Sequence, residues 1–302
     1  MAARASSPAA AALPLLDGDA DVRAALAWAS TRLRVAGAAS PELDALLLLT
    51  AALSMTKAAI LVHPERQLGD EERGRFAALV GRRAERVPLA YVLGEREFYG
   101  REVAVSPDVL VPRPETELLV ELALEFLRER PLAGWVADVG TGSGALAVTL
   151  AAERPGPRVV ATDCSPAALA VAGANAARHG VAGRVHFVCA DVLAGVVGPL
   201  DVIVANLPYI PSGAIDGLMP EVAQYEPRLA LDGGPDGLAL NRRLLEQART
   251  RLAPGGLLLL EMGYDQGAAL RAEAARLLPG ADAAIVKDLA GHDRVVRARI
   301  TE

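Results

Sequence analysis

Apolar residues recur at helical spacing near the start of the chain and at strand spacing further along it. Val22, Leu26 and Leu33 fall on one helical face, and Phe76, Leu79 and Val80 form another behind the acidic start Asp70-Glu71-Glu72. Ser40-Pro41-Glu42 reads as a helix start: Ser40 can cap, Pro41 suits the first turn, and Glu42 favours the helix dipole. No strand pattern interrupts residues 17–86, and the Ala-rich residues 1–16 read as a loose tail. Arg66, Arg73, Arg75, Arg82, Arg83 and Arg86 are interleaved with acids. That is the pattern of a solvated helix face, with a docking surface as the alternative.

Residues 87–112 change character. Glu97 to Val105 suggests a short hairpin turning near Gly100. Pro107, Pro112 and Pro114 then lead into a helix that Pro114, Glu115 and Glu117 open well. From residue 135 strands and helices alternate. The expected strands are 136–139, 159–162, 185–188, 202–205, 257–261 and 295–300, with helices such as 145–153 and 166–179 between them. Such alternation implies a mostly parallel sheet covered on both faces, which binds ligands at the carboxyl ends of its strands.

The 302 residues, 52% of them hydrophobic, are enough for two domains with a sizeable core. A net charge of −6 opposes a general affinity for nucleic acid. The charge is uneven: residues 1–90 carry 11 Lys+Arg against 10 Asp+Glu, and the acidic excess lies beyond them. Cys164 and Cys189 form neither a disulfide framework nor a zinc site and read as small packing residues in a reduced, cytoplasmic setting. His63, His179, His186 and His292 lack metal-ligand spacing, so no metal is expected. The apolar runs are too short to span a membrane, and the N-terminus lacks a signal-peptide layout.

Candidate chemistry gathers at three strand ends. Asp138-Val139-Gly140-Thr141-Gly142-Ser143-Gly144 follows the first strand of the sheet, and its G-x-G-x-G spacing differs from the dinucleotide fingerprint. Asp163 ends the second strand, where a carboxylate can accept from ribose hydroxyls. Asp191 follows the third and could accept from an adenine amino group. An acid-lined cleft suits a sulfonium cation better than a pyrophosphate. The plain alternative is a turn with capping aspartates.

The fourth strand ends in Asn206-Leu207-Pro208-Tyr209. A planar amide or arylamine nitrogen is a poor nucleophile because its lone pair is delocalised. Asn206 could accept one N–H through its side-chain oxygen, and the carbonyl of Leu207 or Pro208 could accept the other. Tyr209 could stack on the flat group. The alternative is a strand-ending turn.

This tetrad resembles the Asn-Pro-Pro-Tyr motif of methyltransferases that act on planar nitrogens. Val111-Pro112-Arg113-Pro114-Glu115-Thr116-Glu117, Pro88 to Tyr91, Phe98 to Gly100, Tyr225 to Arg228, Asp232 to Gly234 and Asp288 to Arg294 narrow the likeness to the bacterial release factor glutamine methyltransferases. The resemblance implies a class I, Rossmann-like S-adenosylmethionine-dependent methyltransferase fold, α/β with a mostly parallel sheet, at residues 113–302. A helical, substrate-docking domain at 1–86 and a hairpin linker at 87–112 would precede it. Gly140, Thr141, Gly142, Ser143 and Gly144 would cradle the cofactor, Asp163 its ribose, and Asp191 and Val192 its adenine. Asn206, Leu207, Pro208 and Tyr209 would hold the glutamine of a Gly-Gly-Gln tip in class I peptide chain release factors. Arg113, Glu115 and Glu117 would line the cofactor's amino acid end or cap a helix. Asp288, His292, Asp293 and Arg294 would form a turn with ion pairs.

Two positions depart from the family pattern. Leu207 stands in place of a proline and is expected to leave a less rigid loop; Val192 offers the adenine a smaller face than a tryptophan. A ribosomal-protein glutamine methyltransferase and an adenine-N6 methyltransferase of nucleic acid share the tetrad chemistry. The acidic sheet region opposes the nucleic acid.

Overall fold

The computed structural model describes residues 16, 18–130 and 134–301. The tail expected at 1–16 lies outside them, except Leu16, which packs on the helical core. In chain order the elements are α1 (Val22–Val35), α2 (Pro41–Leu53), α3 (Lys57–Val62), α4 (Asp70–Ala84), α5 (Leu89–Leu93), β1 (Glu95–Phe98), β2 (Arg101–Ala104), α6 (Glu117–Glu129), β3 (Trp135–Val139) and α7 (Ala145–Glu153). Then come β4 (Arg158–Asp163), α8 (Pro166–Arg178), β5 (Val185–Cys189), β6 (Leu200–Ala205), α9 (Pro220–Tyr225), α10 (Ala239–Ala248), β7 (Leu252–Glu261), α11 (Gly267–Leu277), β8 (Ala281–Lys287) and β9 (Asp293–Ile300). They form two compact units. A helical unit comprises residues 1–94 and 220–225, and a sheet unit comprises 95–219 and 226–302.

The helical unit is built on Val22, Ala25, Ala29 and Leu33 of α1, Leu48 and Leu49 of α2, and Phe76 and Val80 of α4, all buried. Asp21 caps α1 by accepting from Ala24 N at 2.8 Å. Ser40 makes no side-chain cap bond, contrary to expectation; Pro41 at the helix start and Glu42 in the first turn carry that signal alone. Arg83 and Arg86 depart from a solvated face, while Arg75 and Arg82 stay exposed as expected. Arg83 is only 5% exposed, and its guanidinium donates to Asp44 Oδ2 (2.7 Å) and Glu221 Oε1 (2.9 Å). Arg86 donates to both carboxylate oxygens of Glu221. Arg66 pairs with Glu72, and Arg75 donates to the Ala52 carbonyl. The arginines therefore tie the helices of the unit together.

The sheet unit opens with the β1–β2 hairpin, whose turn residues Tyr99 and Gly100 take φ values of 50° and 72°. The larger sheet has seven strands in the order β5-β4-β3-β6-β7-β9-β8. From β5 to β7 the neighbours run parallel, and β9 pairs antiparallel with both β7 and β8. One face is packed by α6 and α7, with Leu119, Val120, Leu146 and Val148. The other is packed by α10 and α11, with Leu244, Leu245 and Leu270. Successive residues of β3 serve both sides: Val136 faces the first cluster and Ala137 the second.

Strand β8 has no sequence expectation behind it. Its Ala-rich residues lack an apolar alternation, and antiparallel pairing with β9 organises it. The chain leaves β3 for β4 and β5 on one side, then returns to place β6 on the other. The topological switch point thus lies between β3 and β6, where this class of sheet opens a crevice.

Candidate functional site

A cavity of about 420 Å³ opens at the carboxyl ends of the parallel strands. Gly140, Thr141, Gly142, Ser143, Asp163, Asp191, Val192, Asn206, Leu207 and Pro208 all line it. Gly144, Tyr209 and Arg113 do not.

The loop after β3 is held against β4. Gly140 N and Thr141 N both donate to the Thr162 carbonyl, at 2.9 and 2.8 Å. Gly142 N donates to Asp163 Oδ2 (2.9 Å), and Ser165 N donates to Asp163 Oδ1 (2.9 Å). Asp163 therefore braces the glycine loop and still lines the cavity. Gly142 takes φ +53°, and a Cβ built there meets nothing within 4 Å. Gly140, at φ +73°, leaves no such room: a Cβ would lie 2.8 Å from Leu207 Cδ2. Leu207 is buried and packed against Gly140 of the glycine loop.

Beneath the loop Asp138 is wholly buried. It accepts from the Thr141 hydroxyl (2.6 Å) and from Ala147 N (3.0 Å). Burial pushes its carboxyl up to about 6. Asp191 reaches the cavity but is gripped by Arg243, whose Nη1 lies 2.8 and 2.9 Å from its two oxygens. A ligand amino group must share that carboxylate with a guanidinium. Val192 takes φ +58°, an unusual conformation for a β-branched residue, and strain of this kind concentrates at functional sites.

The end of β6 brings the reacting-site candidates together. Asn206 Nδ2 donates to Thr116 Oγ1 (2.9 Å), and the Thr116 hydroxyl donates to Glu261 Oε2 (2.7 Å). Asn206 Oδ1 carries no hydrogen bond among the described residues. Tyr209 sits behind the cavity with its hydroxyl 3.5 Å from Glu261 Oε1, and burial raises its phenol above the ordinary value. Gln266 Nε2 donates to the Tyr209 carbonyl (2.9 Å). Gly233 closes on the same loop: a Cβ there would lie 2.7 Å from the Pro208 carbonyl oxygen. Burial pushes Glu261 up to about 7. Thr116 and Glu261 were not singled out in the sequence; the available signal was an acid ending the Leu-rich β7.

The acids and arginine before α6 serve other partners. Arg113 Nη2 lies 2.7 Å from both oxygens of the buried Glu226. Glu117 Oε1 accepts from Tyr99 N in the hairpin turn (2.9 Å). Asp288 closes the β8–β9 turn, accepting from Ala290 N, His292 N and Arg294, as the turn-and-ion-pair reading expects. Cys164 and Cys189 are exposed rather than packed, with Cys189 Sγ 3.8 Å from the Cys164 carbonyl. Among the described residues no acid, His or Cys cluster could hold a metal, and no helix is long and apolar enough to cross a membrane.

Residues 24–94 match the family model of the PrmC N-terminal domain, and residues 115–220 match the methyltransferase small domain. A release factor glutamine methyltransferase of Moorella thermoacetica is 46% identical over 275 residues, covering 90% of this chain and 96% of that protein. One from Cereibacter sphaeroides is 45% identical over 278 residues, covering 91% and 97%. Among solved structures, the hMettl16 catalytic domain bound to an RNA hairpin is similar with a TM-score of 0.56 at 16% identity, covering 74% of this chain and 81% of that one. At that identity the likeness speaks to the fold alone: a class I methyltransferase sheet.

Proposed function

The chain belongs to the release factor glutamine methyltransferases, and on that premise we propose that it methylates the side-chain amide nitrogen of the glutamine in the Gly-Gly-Gln tip of class I peptide chain release factors, with S-adenosylmethionine as donor. The observation that carries the reading is Asn206. Its Nδ2 is already bonded to Thr116, so its oxygen is the atom left to meet an N–H donor.

The cavity fits the donor. A volume of about 420 Å³ suits a molecule of that size, and Gly142 leaves open space beside the Asp163 carboxylate. In this reading the loop from Gly140 to Gly144 brings backbone close to the ligand, Asp163 accepts from ribose hydroxyls, and Asp191 and Val192 flank the adenine. When bound, S-adenosylmethionine supplies an electrophilic methyl group on a sulfonium.

The protein's own contribution is orientation. Asn206 Oδ1 accepts one N–H of the glutamine amide, and the Leu207 or Pro208 carbonyl accepts the other. With both hydrogens held in the amide plane, the nitrogen lone pair projects perpendicular to that plane, toward the methyl. The same acceptors stabilise the positive charge that grows on nitrogen until one of its protons passes to solvent. Tyr209, carried on this loop but outside the cavity lining, takes its stacking role in this reading from the family resemblance rather than from its position. The helical unit holds none of these groups, and in this reading it binds the body of the release factor.

The test is mass spectrometry of products with labelled cofactor. Substrates are intact release factor, its tip Gln→Asn variant, a short peptide carrying the tip, a ribosomal protein and adenine-containing DNA. One methyl on the tip glutamine of the intact factor is expected, with the Asn variant inert. Label in DNA or in the ribosomal protein but not in release factor overturns the substrate. Equal kcat/KM on peptide and intact factor removes the docking role. Asn206→Ala should lower kcat by ~10²–10³ while calorimetry finds cofactor affinity unchanged.

A further inference from the structure

We propose that Glu261 is a positioning residue that fixes the orientation of the Asn206 amide through Thr116, so that methyl transfer requires its carboxylate form. The proposal rests on the reading of Asn206 as the acceptor of the substrate N–H.

The argument is a count of protons. A threonine hydroxyl has one hydrogen to give and lone pairs to receive. Thr116 gives its hydrogen to Glu261 Oε2 at 2.7 Å, so toward Asn206 it can only accept. It receives the Nδ2 hydrogen at 2.9 Å. That leaves the Asn206 oxygen on the other side of the amide, and Asn206 lines the cavity. The three groups come from the ends of β6 and β7 and from the turn before α6, and Thr116 and Glu261 are buried.

Protonating Glu261 removes the constraint. A neutral carboxylic acid can donate to Thr116, whose hydrogen then turns toward Asn206. The amide must rotate to receive it, and its NH2 then faces the substrate NH2, donor against donor. The groups around the carboxylate suit a proton that comes and goes. Glu261 makes no ion pair among the described residues. Arg294 of β9 acts on it from a distance while bonded to Asp288 at 3.2 Å. Glu115, in the turn before α6, adds a like charge, and the Tyr209 hydroxyl stands at 3.5 Å. Burial, the largest influence, pushes the group up to about 7.

The experiment uses the full chain. Wild type should show an acidic limb in kcat near pH 7, and a 13C-labelled Glu261 carboxyl should titrate with the same midpoint. Glu261→Gln should lose that limb and run about tenfold slower at pH 8.5, as a charge-assisted bond becomes a neutral one. Thr116→Val should lower kcat ~10²-fold with the KM for release factor and the cofactor Kd unchanged. Thr116→Ser, which keeps the hydroxyl, should recover kcat to within about threefold.

A wild-type kcat flat from pH 5.5 to 8.5, or a Glu261 carboxyl titrating near its ordinary value, overturns the proposal. So does a folded Thr116→Val enzyme with wild-type kcat. If Asn206→Ala is slow while Thr116→Val is not, the relay fails and the acceptor role of Asn206 stands. If Asn206→Ala turns over at the wild-type rate, the acceptor reading itself fails. Asp138, pushed up to about 6 beneath the glycine loop, belongs to the cofactor side, so its titration should appear in cofactor Kd rather than kcat.

Discussion

Glu221 in the helical unit and Glu261 in the sheet unit are both withdrawn from water, yet their surroundings treat the charge in opposite ways. Desolvation acts upward on Glu221, but hydrogen bonds from Arg86 and Arg83 outweigh it and hold its carboxyl below the ordinary range. Desolvation acts upward on Glu261 too, and a hydroxyl from Thr116 with a distant Arg294 does not reverse it. The helical unit thus surrounds its buried acid with guanidinium groups and locks the charge in place. The site keeps its buried acid near neutrality of preference, where small changes decide its state. Burial alone predicts the raised Glu261 but not the lowered Glu221, where the guanidinium partners decide.

The contrast can be broken most strongly at Arg83. Arg83→Met leaves Asp44 without its buried cation and takes one of two guanidiniums from Glu221. Removing one member of a buried ion pair costs about 3–5 kcal/mol, so Tm should fall sharply at pH 7. The sign with pH follows from Glu221: its folded pKa is lowered, so its contribution is present above the ordinary 4.5 and lost as pH falls through the folded value. The gap between wild type and variant should therefore narrow in acid. A calorimetric scan with an unchanged Tm at pH 7 would show that the network is not holding the unit.

Glu261→Gln sharpens the comparison from the other side. The folded pKa of Glu261 is raised to about 7, so between 4.5 and 7 the folded chain binds more protons than the unfolded one. Stability from this group therefore declines as pH rises through that window. The Gln variant should be more stable than wild type at pH 8.5, by about 1–3 kcal/mol, with the gain vanishing near pH 4.5. Scans at the two pH values decide it, and a lower Tm for the variant at pH 8.5 would contradict the penalty. Activity and stability should then move in opposite directions in a single substitution.

The smallest effect belongs to Tyr209→Phe. A contact at 3.5 Å is at the limit of a hydrogen bond, and the aromatic ring is retained. A change in kcat below about threefold is expected, corresponding to ~0.5 kcal/mol. A loss of a hundredfold in steady-state assays would make the hydroxyl itself part of the reaction.

Much of the sheet was readable because its signals are local. Val202 to Ala205 is a continuous apolar run ending in a polar turn, and Gly140 to Gly144 announces a tight loop by composition alone. Strand β8 was invisible because Ala283 and Ala284 carry little hydrophobic contrast and depend on β9 for their conformation. The site divided in the same way. Asn206 stood in a recognisable tetrad, whereas Thr116 lies 90 residues before it and 145 before Glu261. Their roles exist only once the strands bring them together. Arg113 was legible as a charge near the site, but its pairing with Glu226 depends on a partner 113 residues distant.

The membership of residues 220–225 in the helical unit has a consequence for how the chain is made. Arg86 leaves the ribosome 135 residues before Glu221. At ordinary elongation rates that interval is roughly 10–30 s, long compared with the folding of five short helices. Through that time Arg83 can pair with Asp44, but Arg86 waits for Glu221, the carboxylate the two arginines later share. The helical unit therefore closes only after the glycine loop and the Asn206 turn have already emerged, and before β7, β8 and β9 complete the sheet.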